Sequence, residues 1–259
     1  MGLVYVFAAT GMESNPVARM IGATGGKVPG REFKSGHFGT NRVLLFTTGM
    51  GPRRARACAD AAFARSESGA QEGRDPADRP DVAVIIGLCG GLLAESLPEG
   101  RLVTYTDCLS TVGAQAPLPC SSPLVRHLVD LLGSRDVTVE PVVGITSMTI
   151  GAPIKEKLRL ARTGASVVDM ESYEIVARAA AAGVPVAVLR VVADPLSQPI
   201  PNFNRALKAD GDFDGVQALL VALGSPLLTA RLVAANRRAM RELTRAIGIV
   251  LADDSVFAF

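Results

Sequence analysis

Five continuous apolar runs of strand length, Leu3–Ala8, Val43–Phe46, Val82–Ile86, Val142–Ile145 and Val186–Val192, recur along the chain, running into glycine or small polar residues and then into helical patterning. A strand that is apolar on both sides has to be covered on both sides, and intervening helices supply that cover. Helical patterns fall at about 51–66, 122–132, 152–162, 171–182, 213–223 and 226–248. The alternation predicts an α/β fold, a three-layer α/β/α sandwich around a central mixed, mostly parallel sheet. At 259 residues the chain suits one α/β domain spanning 1–259. Strand signal ends after Asp194, so residues 195–259 read as a helical cap and a C-terminal helix. The polar, turn-rich segment 66–80 reads as an exposed loop.

Charge and cysteine content narrow the function classes. Lys and Arg number 27 against 25 Asp and Glu. A formal charge of +2 provides no long-range field to recruit nucleic acid, which points to a small-molecule partner. Cys58, Cys89, Cys108 and Cys120 form no CxxC pair, and His37 and His127 lie far apart, so no metal site is expected. Residues 1–10 lack the basic start of a signal peptide, and no stretch reaches about 18 strongly apolar residues. The expected compartment is the cytoplasm.

Three segments can carry chemistry. Gly87-Leu88-Cys89-Gly90-Gly91 follows an apolar strand directly, where open sheets bind ligands; a ligand-free structural turn is the alternative. Its spacing is not GxGxxG, and Gly22 to Lys27 lacks the phosphate-loop pattern, which disfavours a dinucleotide or ATP. Asp169-Met170-Glu171-Ser172 places two carboxylates at a strand-to-helix junction, suited either to sugar hydroxyls or to helix capping. Asp194 ends an apolar strand before Pro195, as a general acid or as an ordinary Asp-Pro turn.

Taken in order, Gly11-Met12-Glu13, Thr47-Thr48-Gly49-Met50-Gly51, Gly87 to Leu92, Asp169-Met170-Glu171-Ser172 and Val191-Val192-Ala193-Asp194 resemble the nucleoside phosphorylase and methylthioadenosine/S-adenosylhomocysteine nucleosidase family. Thr48 to Ala57, Ala193-Asp194-Pro195, Leu207 to Gly211 and the tail Pro226–Arg245 are similar to its hopanoid-associated phosphorylase branch, associated with adenosylhopane. The resemblance implies a nucleoside phosphorylase-like fold and cleavage of the N-glycosidic bond of a purine nucleoside. Met170 and Glu171 would hold the ribose, and Asp194 would donate to purine N7. The backbone near Ile150 would flank the base, while Gly49, Gly51, Gly87 and Gly90 would line the floor beneath C1′. No cofactor is implied, phosphate entering only as a co-substrate, and a homo-oligomer is expected.

Departures from the pattern shape the rest. In the first loop, Gly11-Met12-Glu13-Ser14-Asn15-Pro16, direct alignment puts Asn15 near the place of the water-activating glutamate, and Glu13 is the residue that can ionise. Ile85 and Leu88 stand where hexameric phosphorylases hold phosphate with arginine and serine. Thr149 replaces a stacking phenylalanine, so Phe203 or Phe213 would have to pack on the base. Such a pocket suits a bulky or apolar 5′ group. The last helix carries apolar and basic faces, which suit peripheral contact with an anionic membrane as well as packing on the sheet. The rival functions are a non-catalytic nucleoside-binding protein and a nucleotide-cofactor oxidoreductase.

Overall fold

The computed structural model describes residues 2–28, 31–71, 79–93, 97–113, 115–150, 154–208 and 214–257. Among the described residues, ten strands form one sheet: β1 (Leu3–Ala8), β2 (Thr24–Val28), β3 (Arg31–Phe38), β4 (Asn41–Thr47), β5 (Val82–Gly91), β6 (Leu102–Ser110), β7 (Leu118–Pro119), β8 (Val139–Thr146), β9 (Val167–Asp169) and β10 (Val186–Asp194). Helices are α1 (Gly11–Met20), α2 (Pro52–Gln71), α3 (Ser122–Gly133), α4 (Ile154–Ala161), α5 (Ser172–Ala181), α6 (Gly215–Gly224) and α7 (Pro226–Ala252).

Strand alternation builds two cores. Along β1, Leu3, Tyr5 and Phe7 join one buried cluster with Ala59 and Phe63 of α2 and Val176 of α5. Val4, Val6 and Ala8 join the other with Val17 of α1, Leu128 of α3 and Leu243, Ile247 and Val250 of α7. Successive side chains point to opposite faces, so one apolar run feeds both layers.

The long strand β5 sets the topology. Its first half runs parallel to β1, it pairs parallel with β10 from Ala83 to Gly90, and its last two residues, Gly90 and Gly91, pair antiparallel with Val168 and Val167 of β9. Parallel pairs β6 with β8 and β8 with β9, and the antiparallel pair β10 with β6, close a ring from β5 back to itself. The C-terminal ends of β5, β9 and β10 therefore converge.

The sheet is mixed and lies between helical layers. Expected helices appear at about their expected places, and α1, β6 and the β2–β3 hairpin are additional to the expected elements. The expected loop at 66–80 is corrected in part: α2 runs on to Gln71, its Ala and Arg content favouring helix, and 72–78 lie outside the described residues.

Candidate active site

The site starts from turns that only glycine permits. Gly87 has φ +153°, and a Cβ there would collide with Arg190 Nη1 and lie 2.5 Å from Glu13 Oε1. A bare backbone lets these two side chains close over the strand. Glu13, in the first turn of α1, is buried at 4% exposure. Its Oε2 accepts from Thr10 N–H (2.8 Å) and Thr10 Oγ1 (3.1 Å), and its Oε1 accepts from Leu88 N–H (2.9 Å). A carboxylate has about four acceptor positions, so Oε1 keeps one toward the cavity.

Arg190 stands in the middle of β10 and is 1% exposed. Its Nη2 donates to Ser172 Oγ (3.0 Å) and to Glu171 Oε2 (3.4 Å), and lies 3.4 Å from Asp169 Oδ2. Asp169 is otherwise occupied in structure. Oδ1 accepts from Thr146 Oγ1 and from the N–H groups of Glu171 and Ser172, and Oδ2 accepts from Tyr105 OH. It covers the start of α5 and so aims Glu171 into the cavity.

Glu171 also accepts from Gly51 N–H at 3.0 Å, where φ +92° at Gly51 turns the amide inward. Burial pushes its carboxyl up to about 7, with Asp169 and Glu13 adding to the rise and Arg190 and the Gly51 amide opposing it. Near neutral pH this group switches between donor and pure acceptor.

Asp194 Oδ2 lies 2.6 Å from Lys157 Nζ, which also donates to the carbonyls of Asp194 (2.8 Å) and Pro195 (3.2 Å). Lys157 is 1% exposed, a cation brought in by α4. Burial raises the Asp194 carboxyl above its ordinary value against the pull of Lys157. Gly90 passes beneath: a Cβ there would meet Asp194 Oδ2 at 3.3 Å and Val168 Cγ1 at 3.2 Å.

These groups border a cavity of about 480 Å³. Asp169 and Asp194 reach it from the ends of β9 and β10, Glu13 and Glu171 from the starts of α1 and α5, and Met12, Met50, Ile200, Phe203, Leu232 and Val233 form an apolar wall from loops and helices. Among the described lining residues there is no lysine or arginine.

Of the residues expected from sequence, Glu13, Gly90, Ile150, Met170, Glu171, Asp194 and Phe203 line this cavity. Gly87 and Gly51 act from behind, one admitting Glu13 and Arg190 and the other bonding Glu171. Gly49, with φ +81°, packs under Arg54 rather than at the wall. The alignment placing Asn15 at the catalytic position is corrected: Asn15 accepts from Lys34 Nζ on the exposed side, because the helical turn of α1 carries Glu13 inward. Ile150 has both peptide groups taken, N–H to Asn204 Oδ1 and C=O from Asn204 Nδ2, each at 2.8 Å. Phe213 lies outside the described residues. Lys157 and Arg190 are additions. A lone arginine inside an otherwise apolar strand was a readable signal, whereas nothing around Lys157 distinguishes it from a surface lysine.

The chain matches the phosphorylase superfamily over residues 4–214. No curated protein matches it. Among solved structures it is similar to a futalosine hydrolase mutant of Helicobacter pylori, with TM-score 0.71, 11% identity, and 96% of this chain and 99% of that one covered. It is also similar to the 5'-methylthioadenosine/S-adenosylhomocysteine nucleosidase of Neisseria meningitidis, with TM-score 0.71, 13% identity and coverage of 97% and 99%. For the S-adenosylhomocysteine nucleosidase of Streptococcus pyogenes the values are TM-score 0.70, 14% identity, and 97% and 96% covered. At such identities the structures speak for the fold, and the match over 4–214 speaks for descent: this chain belongs to the phosphorylase superfamily.

Proposed function

We propose that this protein hydrolyses the N-glycosidic bond of an adenine nucleoside carrying an apolar 5′ substituent. The observation that carries the reading is one cavity with three candidate working carboxylates, Glu13, Glu171 and Asp194, an apolar wall, and no cation among its described lining residues. No lysine or arginine among the described lining residues offers a phosphate dianion a counter-charge, which favours water as acceptor. Adenine is supported by the neighbouring nucleosidases, named for methylthioadenosine and S-adenosylhomocysteine. Adenosylhopane is a nucleoside of the required kind. A cytoplasmic homo-oligomer belongs to the same reading.

In this scheme Glu171, as carboxylate, accepts hydrogen bonds from ribose hydroxyls. As the C1′–N9 bond lengthens, its electron pair moves into the base and Asp194 delivers a proton to N7, with the Lys157 ammonium as reserve. Water adds to the oxocarbenium-like carbon and loses its proton to the open position on Glu13. The products are adenine and the free sugar.

Adenine release from adenosine, methylthioadenosine and adenosylhopane tests the substrate class. Each buried methylene contributes about 0.8 kcal/mol, so the apolar 5′ groups should raise kcat/KM over adenosine by about tenfold or more. Equal values for all three would remove the apolar-substituent reading, and no release from any would favour a binding protein.

The state of Glu171 gives a second expected result. Ribose binding needs the carboxylate, so kcat/KM should climb with pH through about 7. Glu171→Gln should flatten that rise and cost roughly 1.5–3 kcal/mol of transition-state binding. Stability runs the opposite way: because the folded-state value lies above the ordinary 4.5, the contribution is complete below 4.5 and is lost as pH rises through about 7. An unchanged profile in Glu171→Gln would contradict the ribose assignment.

A further inference from the structure

Helix α6 buries none of its residues, although it is made almost wholly of Ala, Leu, Val and Gly. Val216, Leu219, Leu220 and Leu223 recur at the i, i+3, i+4, i+7 spacing of one helical face. With Leu227, just beyond the bend into α7, they are 56–77% exposed. Such a stripe in water is unfavourable unless something covers it. The helix packs against the Phe203–Ala206 turn and α7, and α6 and α7 meet at a 111° bend.

We infer that α6 and the outer face of α7 form a docking surface for an anionic lipid bilayer. Charge supports this occupant. Between Gly215 and Arg241 the chain holds four arginines, Arg231, Arg237, Arg238 and Arg241, and no acidic residue; Arg238 is paired with Glu99 at 2.8 Å, so Arg231, Arg237 and Arg241 carry the charge offered to headgroups. Leu227, Arg231, Arg238, Arg241 and Arg245 follow at helical spacings on one side of α7, while the opposite side is buried through Ala239, Leu243 and Val250. Leucines flanked by arginines match a surface of acyl chains beneath anionic headgroups. A second copy on the same patch would meet it about a two-fold axis and set arginines against arginines. No single described helix is long and apolar enough to cross a membrane. At about 15 Å, α6 would lie in the interface plane. The inference stands apart from the reaction assigned to the cavity.

Co-sedimentation with phosphatidylcholine–phosphatidylglycerol vesicles, against phosphatidylcholine alone, tests it. The protein should pellet with the anionic vesicles. Replacing Arg231, Arg237 and Arg241 with Gln should weaken that binding on the order of a hundredfold, and Leu219→Ser with Leu223→Ser should abolish it. These residues are exposed, so melting temperature should hold. The chain has no tryptophan, so Leu223→Trp adds a single fluorophore whose emission should shift to the blue with anionic vesicles. No pelleting and no shift would overturn the inference. So would equal binding to neutral vesicles, or a leucine variant that instead breaks an oligomer apart in lipid-free sedimentation, which would assign the face to a second copy.

Discussion

Asp194→Asn should lower kcat by about 10²–10⁴-fold, the range typical of a general acid, equal to roughly 3–5 kcal/mol of barrier. Asparagine keeps the shape and one donor but cannot transfer a proton, so KM should move little. The buried Lys157 ammonium loses its counter-charge at 2.6 Å yet keeps the carbonyls of Asp194 and Pro195. Melting temperature should therefore fall as well, and turnover is to be read per folded molecule. Lys157→Met tests the other half of the pair. Lysine now pulls the Asp194 carboxyl down, so its removal should carry the acidic group's contribution to the pH–rate profile to higher pH. Wild-type kcat in folded Asp194→Asn would reduce Asp194 to a turn residue.

Arg190→Met should be the most destabilising single change at the site. The guanidinium stands between Asp169 and Glu171, both buried, and also donates to Ser172 Oγ and the Leu88 carbonyl. Removing one partner of a buried ion pair leaves the other charges uncompensated, at a cost of about 3–5 kcal/mol. For a chain of this size that amounts to a drop in melting temperature of roughly 6–20 °C. The loss should ease at acid pH, because Glu171, already raised to about 7 with the arginine present, can then be neutral. Arg190→Lys should rescue only part, since a single ammonium cannot serve both carboxylates and Ser172 as the planar fork does. A melting temperature within a degree or two of wild type would show that the cluster does not depend on its cation.

The fold was legible where local pattern and global role agree. Leu3–Ala8 and Val186–Asp194 are buried on both faces, so uninterrupted apolar residues marked them as central strands. The β2–β3 hairpin was not legible: TGGKV is the edge strand and REFKSGHF the strand next to it, at the end of the sheet where glycine and charge are tolerated and no apolar run is needed. Helix α1 was hidden by Gly11 and by Pro16, which sits inside the helix. Among site residues, Asp169 and Glu171 stood out as a pair, but only the structure separates them, with Asp169 saturated by capping and Glu171 facing the cavity. Lys157 lies 37 residues from Asp194 in a helix of ordinary amphipathic pattern. Such a pairing comes from the packing of α4 on the end of β10 and has no local signature.

Under the proposed function, water rather than phosphate would cleave a nucleoside in the cavity shared by Glu13, Glu171 and Asp194. The most direct measurement is the identity of the sugar formed when the purified protein turns over an adenine nucleoside in phosphate buffer, read by mass spectrometry beside adenine release. Hydrolysis predicts the free sugar, at a rate independent of phosphate concentration and strongly reduced in Asp194→Asn. A sugar 1-phosphate, or a rate proportional to phosphate, would contradict the account.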